Sequence, residues 1–393
     1  MPFILPHPLL ESDDIALVLA FGKLSVLEEC SVLGSPVKRA EAPTERISVL
    51  HVDHLPSGSI NELSGVHKCA PLTTRLDSAS GDQSKLIELM VSHLDDKSNV
   101  SLSGYDVGED DYEEMVRSML DGLREAGLKK VRLLRPKENE LRSEQILARE
   151  AFDVIAFPFH GGFALGPTMW VPDSASMRQR GTLKPSPHSD IALSPRLART
   201  LVNLAGLRPG QTVLDPFCGS GTILTEAYGK SLRCLGLDSS ASRVQEAREN
   251  LHWSVGGVTD RGYDIRKGDA RELRRMLRGT KVDAVVTEPL LLPRLDARPK
   301  TSTAQAMIEE SAGVYNDALA SMADSIHPEG RIVVVVPVIQ TMDGDEVTLT
   351  LEGRKLGLRL YQPGPVGFEY PVRLSFESTR WIRRAVYVFE PRS

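Results

Sequence analysis

The stretch "TVLDPFCGSGTILTEA", residues 212–227, decides how the chain is read. A short apolar run ends in Asp215, the chain turns through Gly219 and Gly221, and a helical pattern opens at about Thr222. Glycines at such a turn let the backbone approach a ligand closely and adopt positive φ. A strand, a Gly-rich turn and a helix in that order put the turn at the carboxyl end of a sheet strand, where open α/β sheets bind ligands. The spacing departs from the dinucleotide fingerprint, and no Lys-Ser/Thr follows the glycines as a phosphate loop requires. A carboxylate at Asp215 repels phosphates and suits a cationic ligand.

Working outward, the surrounding pattern is regular. Ser194-Pro195 supplies an N-cap and an N1 proline for a helix that carries Leu197, Leu201 and Leu204 on one face. Apolar strands "RCLGLD", "DAVVTEP" and "RIVVVVP" then alternate with helices expected from about Ser240 to Leu251 and from about Ala304 to Ile326. Strands alternating with helices predict a Rossmann-like α/β domain with a mostly parallel sheet over residues 191–393. The strand after the glycine loop ends at Asp238, 19 residues past Gly219, where an acid can accept hydrogen bonds from ribose hydroxyls. A further acid, Asp269, lies in "KGDA". Any one of these aspartates is also what a helix cap or turn needs. In this order around a glycine loop, the three acids suit S-adenosylmethionine, which carries an ammonium, a sulfonium, a ribose and an adenine. Cys218, inside the loop, reads as buried small-residue packing rather than a nucleophile.

The first part mixes strands ("IALVLAFG", "ISVLHV", "NVSLSGYDV", "KVRLLRP") with helices ("SKLIELMVSHL", "DDYEEMVRSMLDGLREAG"), which predicts small α+β domains. Turn-rich breaks fall at residues 70–83, 161–168 and 178–190, the last the best linker candidate. The expected division is an N-terminal ferredoxin-like region (1–62), a second α+β domain (63–168), a linker (169–190) and the α/β domain. Residues 1–160 carry about ten more acids than bases and the remainder about four more bases than acids, so phosphate attraction is expected mainly from the second part. The 5% aromatic share leaves few rings to stack on bases. The longest apolar run falls well short of a membrane span and no leader pattern opens the chain, so a cytoplasmic protein is expected. The four cysteines form no C-x-x-C pair and the nine histidines no ligand-spaced cluster; no metal is expected.

"DPFCGSGTILTEA", preceded by "LSPRLARTLVNLAGLRPGQTVL" and followed by "GLDSS" and "NLHW", resembles the tRNA guanine-10 N2-methyltransferase family, whose members join a THUMP RNA-binding region to a Rossmann-like methyltransferase domain. "LSGVHKCA" from Leu63, "VSLSGYD" from Val100 and "ENELRSEQILARE" from Glu138 stand where that family has its THUMP-region patterns, and "RQRGTLKP" resembles its linker. The resemblance implies cofactor contacts at Asp215, Phe217, Gly219 and Gly221, a ribose acid at Asp238, an adenine-side acid at Asp269 and tRNA as partner. A small activating protein and the oligomeric state are left open.

The resemblance also places "TEPL", Thr287–Leu290, at the family's Asp-Pro-Pro-Tyr, and there the sequence departs. An exocyclic amine is a poor nucleophile because its lone pair is delocalised into the ring. A carboxylate and a backbone carbonyl that accept its N–H bonds can rehybridise the nitrogen and aim it, and positioning supplies up to roughly 7–11 kcal/mol in the best intramolecular cases. Glu288 keeps the charge one methylene further out and Pro289 is retained, so these two are the candidate catalytic positions. Leu290 and Leu291 replace the second proline and the aromatic ring, so another ring, with Phe368, Tyr370 and Trp381 as candidates, must hold the base. The expected activity is transfer of methyl to the N2 amine of a tRNA guanosine, at position 10. The alternatives are methylation of adenine or cytosine amines in DNA, and an RNA-binding homologue without turnover.

Overall fold

The structure is a computed structural model describing residues 14–34, 37–52, 59–136, 138–186, 193–254, 256, 262–289, 295–363, 367–374 and 381–392. The chain forms two compact units, the first built from most of residues 1–175 and the second from most of 176–393. No helix among the described residues is long and apolar enough to cross a membrane.

The first unit holds two sheets. In one, Asp14–Leu19 runs antiparallel between Ile47–Val52 and Val66–Pro71, with Val37–Glu41 at the edge, so this sheet draws strands from both sides of residue 62. The other is mixed and five-stranded, with Ala151–Phe159 between Gly162–Pro167 and Asn99–Gly104. Helix Glu109–Glu125 covers it, burying Met115, Val116, Met119 and Leu123 against Val100, Leu102 and Val154. Three acids open that helix, where the macrodipole favours them, and Gly127 at φ +100° follows its end.

The stretches that carried the N-terminal resemblance meet in three dimensions. Lys68, from "LSGVHKCA", is buried and donates to Asp153 Oδ2 and Ser103 Oγ, both at 2.8 Å. Ser101 and Ser103, from "VSLSGYD", donate to Asp153 Oδ1 at 2.5 and 2.7 Å, and Thr168 donates to Oδ2 at 2.8 Å. The amide of Leu141, from "ENELRSEQ", donates to Ser103 Oγ at 3.0 Å, while its neighbour Glu140 accepts from Tyr105 and Arg46. These patterns thus specify a buried polar network, whose groups must all be partnered because desolvated charges are otherwise costly.

In the second unit, α1 (Pro195–Leu204) starts at Ser194, whose Oγ accepts the Leu197 amide as an N-cap should. There follow β1 (Thr212–Asp215), α2 (Thr222–Tyr228), β2 (Arg233–Asp238), α3 (Ala241–Ser254), β3 (Tyr263–Lys267), β4 (Val282–Thr287), α4 (Thr301–Ser325), β5 (Ile326–Gln340), β6 (Leu358–Leu360) and β7 (Ile382–Pro391). The sheet order is β3-β2-β1-β4-β5-β7-β6. Strands β1 to β5 are parallel, as the alternating pattern predicts, and β7 and β6 add an antiparallel edge. The order reverses between β1 and β4. That switch point opens a crevice at the carboxyl ends of the strands, where Asp215 and Thr287 stand.

Candidate active site

Asp215 ends β1 with 1% of its surface exposed. Its Oδ1 accepts the Phe217 amide at 3.1 Å and the Thr287 hydroxyl, from the end of β4, at 2.7 Å. Burial pushes its carboxyl up to about 7 against those two hydrogen bonds, and the charges of Asp238 and Glu288 push the same way as burial. Two carboxylates are therefore within electrostatic reach of Asp215.

The glycine loop is held from both sides. Cys218 donates its amide to Leu237 O at 2.8 Å, and Gly221 donates to Cys218 O at 2.7 Å. Gly219 donates to Asp238 Oδ2 at 3.0 Å, which ties the loop to the end of β2. Gly219 lies at φ +51°, and among the described residues a methyl group there would meet only the Phe217 carbonyl, at 4.0 Å. The loop face is therefore open. Gly221, at φ +82°, has a different reason to be glycine, since a Cβ would come within 3.1 Å of Ala247 Cβ on α3. Cys218 is buried and its thiol is pushed well above the usual range, so it offers no thiolate.

Asp238 Oδ1 accepts the Ser240 amide at 2.9 Å, leading into α3. The Asp269 turn is tied to the same strand end because Gly268 donates to Asp238 O at 3.0 Å. Asp269 accepts the Arg271 amide at 2.9 Å and its guanidinium at 2.6 Å, which hold its carboxyl down at about 2. Both acids are thus also the cap and turn residues that a single aspartate so placed would be.

Glu288 follows β4 directly, and Pro289 is buried behind it. Arg384, on β7, donates from Nε to Glu288 Oε1 at 2.5 Å, with both side chains about 10% exposed (10% and 11%). Tyr315, on α4, is buried with its hydroxyl unpartnered among the described residues, and the Glu288 charge adds to burial in pushing its phenol up. Leu290 and Leu291 lie outside the described residues. Of the candidate rings, Phe368 is buried, Tyr370 stacks on Tyr387 and donates to Tyr361 O at 2.6 Å, and Trp381 is half-buried with the Arg298 guanidinium over its face.

Lys184 was not singled out in the sequence. Its ammonium is buried, donates to Thr222 Oγ1 at 3.1 Å where α2 begins, and is held below its ordinary pKa by burial. Beside it, Ser186 donates to Asn250, which donates in turn to Ser220 O in the loop. The "LKPS" run within the presumed linker was the available signal. Arg384 had none, since it stands 96 residues from the glutamate it pairs with. A separate cleft of about 390 Å³, lined by Thr212, Arg233, Tyr263 and Val282 among others, opens near the start of the strands and contains none of the strand-end acids.

Residues 187–343 match the UPF0020 family, described as an RMKL-like methyltransferase domain. That segment is a methyltransferase domain. The chain is 37% identical over 147 residues to a tRNA (guanine(10)-N2)-dimethyltransferase of Methanothermobacter thermautotrophicus, covering 37% of this chain and 39% of the relative. It is 34% identical over 172 residues to the protein of the same name in Pyrococcus abyssi, covering 44% and 46%. The chain thus spans less than half the length of these curated relatives. The crystal structure of TrmN from Thermus thermophilus aligns over 96% of this chain and 99% of that one, with a TM-score of 0.52 at 20% identity, which shows a shared fold. The methyltransferase domain expected from the glycine loop is borne out, and so is the likeness to tRNA guanine N2-methyltransferases.

Proposed function

We propose that this chain is an S-adenosylmethionine-dependent tRNA methyltransferase that modifies the N2 amine of a guanosine, with position 10 the expected nucleotide. The observation that carries it is the pairing of β1 and β4 ends: the strand that hydrogen-bonds Asp215 through Thr287 presents Glu288 in the next position. A glycine cradle and an amine acceptor therefore stand on neighbouring strands. The names of the relatives matched by the methyltransferase domain support guanosine in tRNA over DNA.

The residues present fit the cofactor. Gly219 faces open space, Asp215 offers a buried carboxyl to a cationic group, and Lys184 offers an ammonium to a carboxylate. Asp238 would take the ribose, Asp269 the adenine side, and Phe217, half-buried in the loop, an apolar contact. When bound, S-adenosylmethionine supplies a methyl group made electrophilic by the sulfonium. Glu288 would accept an amine N–H and the carbonyl beside Pro289 the other, so that the nitrogen lone pair is freed and aimed. As the N–C bond forms, the nitrogen sheds one proton to the carboxylate that held it.

In the first unit, residues 63–168 would serve as the THUMP-like RNA-binding domain, preceded by the region 1–62 and followed by the linker 169–190. A cleft of about 410 Å³ there is lined by Arg135, Arg142 and Arg149 together with Glu138 and Glu140. Arg142 and Arg149 meet no carboxylate among the described residues, so they are available for phosphate contacts.

Nucleoside mass spectrometry of unmodified tRNA incubated with the protein and S-adenosylmethionine tests the reading. The expected product is N2-methylated guanosine. An absence of methylated guanosine, with cofactor binding shown by calorimetry, would overturn it.

A further inference from the structure

We infer that Arg384 is a positioning residue for the amine acceptor: it fixes Glu288 in the one conformation from which a carboxylate on this longer side chain can meet the substrate amine. The inference rests on the methyltransferase reading above and deepens it.

Glutamate has one more rotatable bond than aspartate, so a glutamate at the end of β4 has more conformations to lose before its carboxylate is placed. In this structure an ion pair with Arg384 restricts it. Arg384 Nε donates to Oε1 at 2.5 Å, and the two side chains are almost fully withdrawn from water. Arg384 is itself well anchored, because β7 pairs with β5 over eight residues with Arg384 opposite Pro337. A buried guanidinium on a rigid strand is a directional anchor, since its N–H donors lie in a fixed plane.

The surroundings give the pairing a second role. Among the described residues, the titratable groups coupled to Glu288 include Asp215 on β1, Tyr315 on α4 and Arg384 on β7. Arg384 is a cation among them. A buried carboxylate between another acid and a phenol takes up a proton unless a cation opposes it, and a protonated Glu288 could accept neither the amine hydrogen bond nor the departing proton with the same strength. In the transfer step the amine lone pair forms the N–C bond, the C–S electrons pass to sulfur, and the released proton goes to Glu288. Arg384 touches none of these atoms and acts only by holding Glu288 ionised and aimed.

The test uses the full chain with Arg384→Met and Arg384→Lys. For Arg384→Met we expect kcat on tRNA to fall by about 100-fold, the scale on which small misplacements of reacting groups act, with cofactor Kd and KM for tRNA within about threefold of wild type. Arg384→Lys, which restores charge without the planar fork, should recover to between about a tenth and about a third of wild-type kcat. Wild-type kcat in Arg384→Met, or a fall in kcat matched by an equal loss of cofactor affinity, would overturn the inference. So would Arg384→Lys no more active than Arg384→Met. If Arg384→Met does not fold, the Lys variant decides alone, and a kcat unchanged from wild type counts against the inference. A readout that needs no substrate is the titration of the Glu288 side-chain carbon by 13C NMR, whose midpoint should rise in Arg384→Met and less in Arg384→Lys, which keeps a cation. If wild-type protein methylates no tRNA, the functional reading fails and this titration alone decides the pairing: a midpoint indifferent to Arg384 overturns it.

Discussion

The hydroxyl of Thr287 donates to Oδ1 of Asp215 at 2.7 Å and so joins the ends of β4 and β1 across the switch point of the sheet. Both residues are sealed from solvent. The bond favours the ionised form of a carboxyl that burial otherwise drives toward neutrality. Thr287→Val keeps the shape and removes the donor. We expect the Asp215 midpoint to rise above about 7 and stability to fall by about 1–3 kcal/mol, the larger loss at pH 8, where the unpartnered group is charged. Urea unfolding of the variant at pH 5 and pH 8 measures both, and equal losses at the two pH values would contradict this account.

Asp215 also makes a signed prediction for pH. Its folded-state value, about 7, lies above the ordinary 3.8, so the native state holds the proton more tightly than the unfolded chain. Its contribution is complete below about pH 4 and is lost as pH rises through about 7. Asp215→Asn mimics the neutral form. The stability of that variant relative to wild type should therefore improve steadily between pH 4 and pH 8 in the absence of cofactor, by at most roughly 4 kcal/mol. Cofactor affinity should show the converse: it tightens with pH in wild type, because the charged carboxylate attracts a cationic ligand, and stays flat in Asp215→Asn. Calorimetric titrations across this range would expose a pH-independent wild type and thereby refute the assigned role.

The fold of the second unit was legible because its signals are local. Glycines at a turn, aspartates at the ends of β1 and β2 and a Ser-Pro helix start are all decided within a few residues. What stayed hidden depends on pairing at a distance. Arg384 meets Glu288 only because β7 turns back antiparallel along β5, and no periodicity near residue 384 states that register. Lys184 was hidden for a related reason: the polar, proline-containing segment around it reads as linker, yet its ammonium is buried at the start of α2. In the first unit the reverse holds, since Lys68, Ser101 and Ser103 were visible as family patterns while their common partner, Asp153, was not.

That partner should be costly to remove. Lys68 and Asp153 are each 1% exposed, and Asp153 accepts four side-chain hydrogen bonds. Breaking a buried pair strands the surviving charge, at about 3–5 kcal/mol. Lys68→Met should destabilise the first unit on that scale, and the double variant Lys68→Met/Asp153→Leu should recover part of the loss. Chemical denaturation of these two proteins and of Asp153→Leu alone checks this, and a double variant less stable by the sum of both single losses would show that stranded charge is not the cause.

Glu288→Ala separates chemistry from cofactor binding. The carboxylate follows β4 and points to Arg384, whereas the glycine loop is held by Asp215 and Asp238. We expect methyl transfer to fall at least about 100-fold with cofactor Kd nearly unchanged. Glu288→Asp shortens the reach to Arg384 and should leave intermediate activity. Wild-type turnover in Glu288→Ala, followed by mass spectrometry of the tRNA product, would remove Glu288 from the mechanism.

The two loop glycines should fail differently when replaced. Both take positive φ, which costs an alanine roughly 1–2 kcal/mol. Gly219→Ala adds only that strain, because its methyl would point into open space. Its expected signature is a modest drop in Tm with a disproportionate loss of cofactor affinity, since the methyl enters the face where the ligand must approach. Gly221→Ala adds a steric conflict with Ala247 at 3.1 Å and with Leu251 at 3.2 Å, so α2 and α3 must separate. The loss of stability should exceed that of Gly219→Ala by about 1–3 kcal/mol. Pairing Gly221→Ala with Ala247→Gly removes one of the three atoms it strikes and leaves Ala247 Cα and Leu251 Cδ1 at 3.2 Å, so thermal unfolding should return only part of that difference. A double variant less stable than Gly221→Ala by more than the roughly 1 kcal/mol that glycine costs inside a helix would mean that the Ala247 methyl is not what requires glycine at this position.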